Sequence, residues 1–195
     1  MSRFLAWVKE YFPFISAILA VIALIILIIS AHSSSEASED EFVFGFSLQR
    51  TSLKYSYETP IPLGKNQLEL SVYTLSLKDI DYFKNPEASL HMFPIHGKRY
   101  GKDWDIFHWH APTGDSLSMK WWLPALSPTS LRSGIEQDTK ETIAAYFNYA
   151  KKSLEKNGLI AGFHHRNNSG KEDFLLYVLN LEDGVLIRVK RGSIH

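Results

Sequence analysis

The stretch LIAGFHHRNNSGKEDFLLYVLNLEDGVLIRVKR, residues 159–191, decides the fold. It holds three short apolar runs separated by Asn167-Asn168-Ser169-Gly170 and Glu182-Asp183-Gly184, both compositions that favour tight turns. It therefore reads as a three-strand antiparallel meander over 159–166, 172–181 and 185–191. The middle run is apolar at both parities: Phe174, Leu176 and Val178 on one, Leu175, Tyr177 and Leu179 on the other. A strand buried on both faces belongs in the interior of a sheet.

Turn centring predicts the register. The first turn sets Arg166 opposite Lys171 and His164 opposite Asp173. The second sets Tyr177 opposite Arg188 and Val178 opposite Ile187. Phe163, Phe174, Leu176, Val178, Ile187 and Val189 then share one face. The other carries His164, Asp173, Tyr177, Arg188 and Lys190, mixed with Ile160, Leu175, Leu179 and Leu186. An apolar strip with a charged border fits a partner-binding face, with His164, Asp173, Tyr177 and Arg188 as its candidates. The plainer reading is that another strand layer covers the leucines and leaves the charges at its rim.

Upstream lies one long helix, about 135–157. Ile135, Ile143, Tyr146, Phe147, Ala150 and Leu154 fall on one side at 100° per residue. Ser133-Gly134-Ile135-Glu136 has the form of a capping box, and Gly158 suits its end. Lys151, Lys152 and Lys156 are most simply a solvated face. Residues 104–123 read as a hairpin turning at Ala111-Pro112-Thr113-Gly114, with Asp105 opposite Lys120, Ile106 opposite Met119 and Trp104 opposite Trp121. That makes Trp104, Ile106 and His108 part of a core face. Leu68, Leu70 and Val72 alternate as a strand, and Val43, Phe44, Phe46 and Leu48 read as an earlier one. Residues 59–64 form a loop, and 78–100 gives no clear pattern. The class is α+β, a mostly antiparallel sheet with one long helix packed on it.

Ahead of this domain, residues 12–31 read FPFISAILAVIALIILIISA, 20 residues without a charge. That is the length a helix needs to cross about 30 Å of hydrocarbon. Arg3 and Lys9 precede it, and the first base after it is Arg50. The flanks predict a cytoplasmic N-terminus and an outer domain, periplasmic at a bacterial inner membrane. A cleaved signal peptide is the rival, but its apolar core would be shorter and Ala31-His32-Ser33 is a poor cleavage site. The expected organisation is a short cytoplasmic segment 1–11, a transmembrane helix 12–31, an acidic Ser-rich spacer 32–41 and an extracytoplasmic domain 42–195.

From Phe42 onward 19 Lys plus Arg face 16 Asp plus Glu, too even for a nucleic-acid surface. The chain has no cysteine, which excludes disulfides and Cys-based metal sites. Gly114-Asp115-Ser116-Leu117-Ser118 spells the nucleophile motif of GDSL-type hydrolases. No Asp-x-x-His follows it to supply the base, so it reads as a turn and its next strand. His108-x-His110 spaces two imidazoles on one strand face, as in some metal sites. A third ligand from His91, His96, His164 or His165 would have to converge on them. The alternative places His108 in the aromatic core and His110 across from Asp115. No cofactor and no catalytic residue is assigned. The expected function is a single-pass interaction protein, an accessory subunit or inhibitor with a protein partner in or near the membrane. A metal-binding protein or enzyme built on His108 and His110 is the second class, and a small-ligand or lipid sensor the third.

Overall fold

A computed structural model of the chain describes residues 14, 16–28, 39–48, 50–59, 67–84, 90–97, 100–112, 122–128, 135–166, 170 and 172–192. The chain divides into two compact units, Met1–Glu39 and Asp40–His195. In the first, residues 16–28 are helical and their side chains are exposed. Among the described residues no helix is long and apolar enough to cross a membrane. The flanks of the expected span, 12–13, 15 and 29–31, lie outside the described residues.

The second unit is an α+β domain built on a six-stranded antiparallel sheet. Its strands are β1 (Arg50–Glu58), β2 (Gln67–Leu75), β3 (Asp105–His110), β4 (Leu159–Arg166), β5 (Glu172–Asn180) and β6 (Val185–Gly192). Their spatial order is β1-β2-β6-β5-β4-β3. The meander is therefore β4-β5-β6, and β5 lies inside it with residues 174–179 buried on both faces. β2 has the alternation expected of it, with Leu68, Leu70 and Val72 buried.

One face of the sheet is covered by the long helix, α2 (Gln137–Lys156), the second helix of the domain after α1 (Leu77–Lys84). Ile143, Phe147, Ala150 and Leu154 pack with Leu70, Val72, Leu176, Val178, Ile187 and Val189 in a single core. The capping box is not the helix start. Glu136 occupies the N-cap without a side-chain cap bond, so the helix begins two residues beyond Ile135. Ser133 lies outside the described residues. At the other end Gly158 donates its N–H to Ser153 O at 2.8 Å. A Cβ there would stand 2.7 Å from that oxygen, which is why a glycine closes the helix.

The opposite face corrects the early part of the sequence reading. Residues 40–44 are helical, not a strand. Val43 and Phe44 are fully buried and pack with Phe83 of α1, Leu90, Tyr100 and Trp109 over Leu175, Tyr177, Leu179 and Leu186. The Trp109 indole N–H donates to Val43 O at 2.7 Å, and its ring stacks on Phe44. This lid is helix and loop, not a further strand layer. Asp40, expected in the spacer, is buried in this unit. α1 falls in the stretch that gave no pattern; its start is capped by Ser76 Oγ, which accepts from Asp79 N and donates to Asp79 Oδ2.

Of the expected hairpin, the first strand is β3. It pairs with β4, setting Asp105 opposite His164 and Ile106 opposite Phe163. Trp122 and Leu123, placed in the hairpin's second strand, are helical, and Trp122 is buried with the α2 core. Residues 113–121, with Ser116, Met119, Lys120 and Trp121, lie outside the described residues. A bulge between Phe107 and His110 changes the alternation of β3. Ile106 and Trp109 then both serve the lid core, while Phe107 turns to the α2 core.

The β5–β6 register is the predicted one, Tyr177 opposite Arg188 and Val178 opposite Ile187. The β4–β5 register is shifted by one residue. Arg166 faces Glu172, His165 faces Asp173 and His164 faces Phe174. A one-residue slip moves every side chain of a strand to the other face. Phe163 thus belongs to the lid core with Leu175, and Ile160 to the α2 core.

Candidate functional site

The histidine pair of β3 does not form one ligand face. The bulge leaves His108 exposed, and His110 is half-buried with Nδ1 2.7 Å from His108 O. That ring nitrogen is engaged by the backbone of its own strand. Among the described residues no group of three or more His, Asp or Glu side chains is placed to hold a metal ion. His91 and His96 are exposed on the loop 90–97.

The four partner-face candidates do not share an open surface. Tyr177 is fully buried, with its ring 5.7 Å from that of Phe44. His164 is 2% exposed and stacks on Phe174 on the α2 side, 3.6 Å from Asp105 and 4.0 Å from Glu172. Asp173 pairs instead with His165 at 3.7 Å, and His165 also reaches Asp103 at 3.5 Å. Each histidine thus sits between an acid beside it on the β3 flank and one on β5, on opposite faces of the sheet. Arg188 is half-buried and binds Glu69 of β2 at 3.3 Å.

Glu69 organises the polar end of the lid face. Its carboxylate takes Lys190 Nζ on one oxygen and Arg188 on the other. Burial pushes this carboxyl up, but the hydrogen bond and charge of Lys190, with those of Arg188, outweigh it and hold the pKa below its ordinary value. A depressed carboxylate pKa adds stability above the unfolded-state value, and that stability is lost as pH falls through the folded value. Glu69→Gln is expected to cost about 1–2 kcal/mol at neutral pH, because two partly buried cations lose their counter-charge. Urea unfolding at neutral pH and well below pH 4 measures it. The gap between parent and mutant should narrow in acid; a constant gap would refute the electrostatic account.

An open cleft of about 450 Å³ lies between the last turns of α2 and the β5–β6 turn. It is built by a clasp of polar side chains. Asn180 Oδ1 accepts from Asp183 N at 3.0 Å and shapes the turn, with Gly184 at φ 62°. Asn180 Nδ2 donates to Ser153 Oγ and Asp183 Oδ2, and Tyr149 OH donates to Asp183 Oδ2 at 2.6 Å. Burial first, and then the Asp183 carboxylate, pushes the Tyr149 phenol far above its ordinary value. Tyr149 OH is held as a donor to the Asp183 carboxylate. Ser153 Oγ donates to Tyr149 O at 2.9 Å, so its proton is held by a backbone carbonyl. Lys152, Glu155, Lys156 and Glu182 complete the lining. The arrangement offers mixed charge and hydrogen bonding, which suits binding a polar group.

No family model matches the chain, and no curated protein or solved structure shows significant similarity to it. Lys152 and Lys156 are exposed, as a solvated helix face requires, and also line the cleft. Glu182, Asp183 and Gly184 were visible as a turn, but nothing local placed that turn beside the helix. Ser76-x-x-Asp79 was a legible signal for the start of α1.

Proposed function

We propose that the chain is a membrane-tethered interaction protein. Residues 12–31 act as a single-pass anchor, the N-terminus is cytoplasmic, and the α+β domain meets a protein partner outside, at the bacterial envelope. The observation that carries the reading is the apolar helix of the first unit. Phe14 is 70% exposed, Ile18 60% and Leu27 65%. So much apolar surface is unfavourable in water at about 25 cal/mol per Å², and the uncharged 20-residue stretch around it has the length of a span. The domain has its own two cores and does not need that helix for its interior. The cleft beside Tyr149 and Asp183 is the partner's contact, because it is a concave polar surface with a charged rim and hydrogen-bonding side chains held in place. The metal reading draws no support from His110, which turns to the backbone.

A reporter active only outside the cytoplasm, fused after His195, tests the topology. Carbonate washing of membranes tests the anchor. An inactive but well-expressed fusion reverses the orientation, and release of the chain by carbonate removes the anchor. Lys152→Glu and Glu182→Lys lie on the cleft rim and should each leave melting unchanged. Both are expected to lose a partner cross-linked in native membranes. Undiminished cross-linking by both variants would move the partner off the cleft.

A further inference from the structure

β1 lies at one end of the sheet, and among the described residues it pairs only with β2. Its other edge carries backbone groups that no described strand uses. The pairing tells which groups these are. Thr59 N donates to Leu68 O at 2.9 Å, so Thr59 and Leu68 form a hydrogen-bonded pair. Such pairs alternate along an antiparallel ladder, so Tyr57 and Tyr55 also bond inward, to Leu70 and Val72. The N–H and C=O groups of Ser56 and Glu58 therefore point out from the free edge. The stretch 55–58 is regular, since the register shifts of β1 fall between Arg50 and Ser52 and between Leu53 and Tyr55. A regular open edge is a template for another strand.

The side chains say which strand it fits. Lys54, Ser56 and Glu58 are exposed, and Lys54 and Glu58 make no ion pair among the described residues. Tyr55 and Tyr57 are half-buried against the α2 core. An antiparallel pair with a two-fold axis at Ser56 sets Ser56 opposite Ser56 of a second copy, where the two exchange both backbone hydrogen bonds. Lys54 then meets Glu58 of the other copy, and Tyr55 meets Tyr57, each contact occurring twice. The tyrosines fall in non-hydrogen-bonded pairs, where side chains lie closer together. Opposite charges and aromatic rings directly across a ladder both stabilise it. Moving the axis to Lys54 sets two lysines against each other, and moving it to Glu58 sets two glutamates, so charge selects Ser56. α2 packs over β5, three strands in from this edge, and reaches toward it with Tyr146, whose ring lies 5.1 Å from that of Tyr55. We propose that two copies of this chain join through β1, antiparallel about Ser56, into one continuous sheet. The inference stands on the sheet edge and is independent of the tether and of the cleft.

The chain has no cysteine, so one introduced thiol reports one contact. In a hydrogen-bonded pair the two Cα atoms stand about 5.5 Å apart, within reach of a disulfide. Ser56→Cys in the full chain, in mild detergent with a thiol oxidant, should therefore form a covalent dimer rapidly. Glu155→Cys, exposed on α2, is the control and should form one slowly. Adding Lys54→Glu or Glu58→Lys to Ser56→Cys places like charges opposite each other at both ends of the pair. Either change should slow dimer formation about tenfold. Adding both restores opposite charges with the signs exchanged, and the rate should return to that of Ser56→Cys alone. A variant that had merely lost its fold would not recover in this way, and circular dichroism checks each one. Equal rates at positions 56 and 155 overturn the proposal. So do charge changes that leave the rate unaltered, or that slow it without recovery in the combination, because the pairing is then not centred on Ser56. Cross-linking in native membranes that joins position 56 to a different protein in place of a second copy would mean that the edge takes a foreign strand, and that too overturns it.

Discussion

Trp109→Ala is expected to destabilise the domain by about 4 kcal/mol, the cost of a cavity where a large aromatic was buried. Trp109 is 5% exposed, stacks on Phe44 at 5.2 Å and lies 6.2 Å from Phe83. Its indole also supplies the hydrogen bond to Val43 O, so the mutation leaves a buried carbonyl without that donor. For a domain of this size, about 4 kcal/mol lowers Tm by about 8–16 °C. The loss should be local before it is global. Amide exchange in 40–48 should speed up well before exchange in β5. Trp109→Phe keeps most of the packing and loses the donor, and is expected to cost about 1–2 kcal/mol. Unchanged exchange in 40–48 in the alanine variant would refute the view that Trp109 fastens this lid to the sheet.

Gly162→Ala should cost about 3 kcal/mol although it adds one methyl group. Gly162 lies inside β4, facing Phe107 on one side and Leu176 on the other. A Cβ there would be 2.3 Å from Leu175 O and 3.2 Å from the Trp122 ring. The ring can yield, but the carbonyl belongs to the neighbouring strand and cannot move without disturbing the ladder. Gly162→Val should be worse and is expected to prevent stable folding. Urea unfolding gives the alanine value. Adding Trp122→Leu separates the two contacts: it relieves the ring and not the carbonyl, so it should not restore stability. A full rescue would show that the strand spacing tolerates a side chain here.

Much of the domain was legible along the chain. The β5–β6 register followed from the Asp183-Gly184 turn, and the buried stripe of α2 followed from the helical period. The interior place of β5 followed from its apolar residues at both parities. The candidate site was far less legible. Tyr177 and Arg188 were placed opposite one another correctly, but no local signal reported that residues 40–48 and α1 would cover Tyr177. The β4–β5 slip is one residue, and it moved Phe163 to the lid core and exchanged His164 for His165 beside Asp173. The cleft joins Tyr149 to Asp183, 34 positions apart.

What the sequence determined by itself was the identity of most elements, because side-chain period and turn chemistry act between neighbours in the chain. It also determined that a charge-free stretch of 20 residues precedes the domain. Tertiary structure alone decided which elements meet. β3 pairs with β4, 50 or more residues ahead, and the bulge that this pairing contains selects Trp109 over His108 for the core. Val43 and Phe44 carry the apolar side chains of a strand, yet they sit in a helical turn. The free energy of covering Leu175, Tyr177, Leu179 and Leu186 is larger than the differences in local propensity, and that cover is formed by residues distant in sequence.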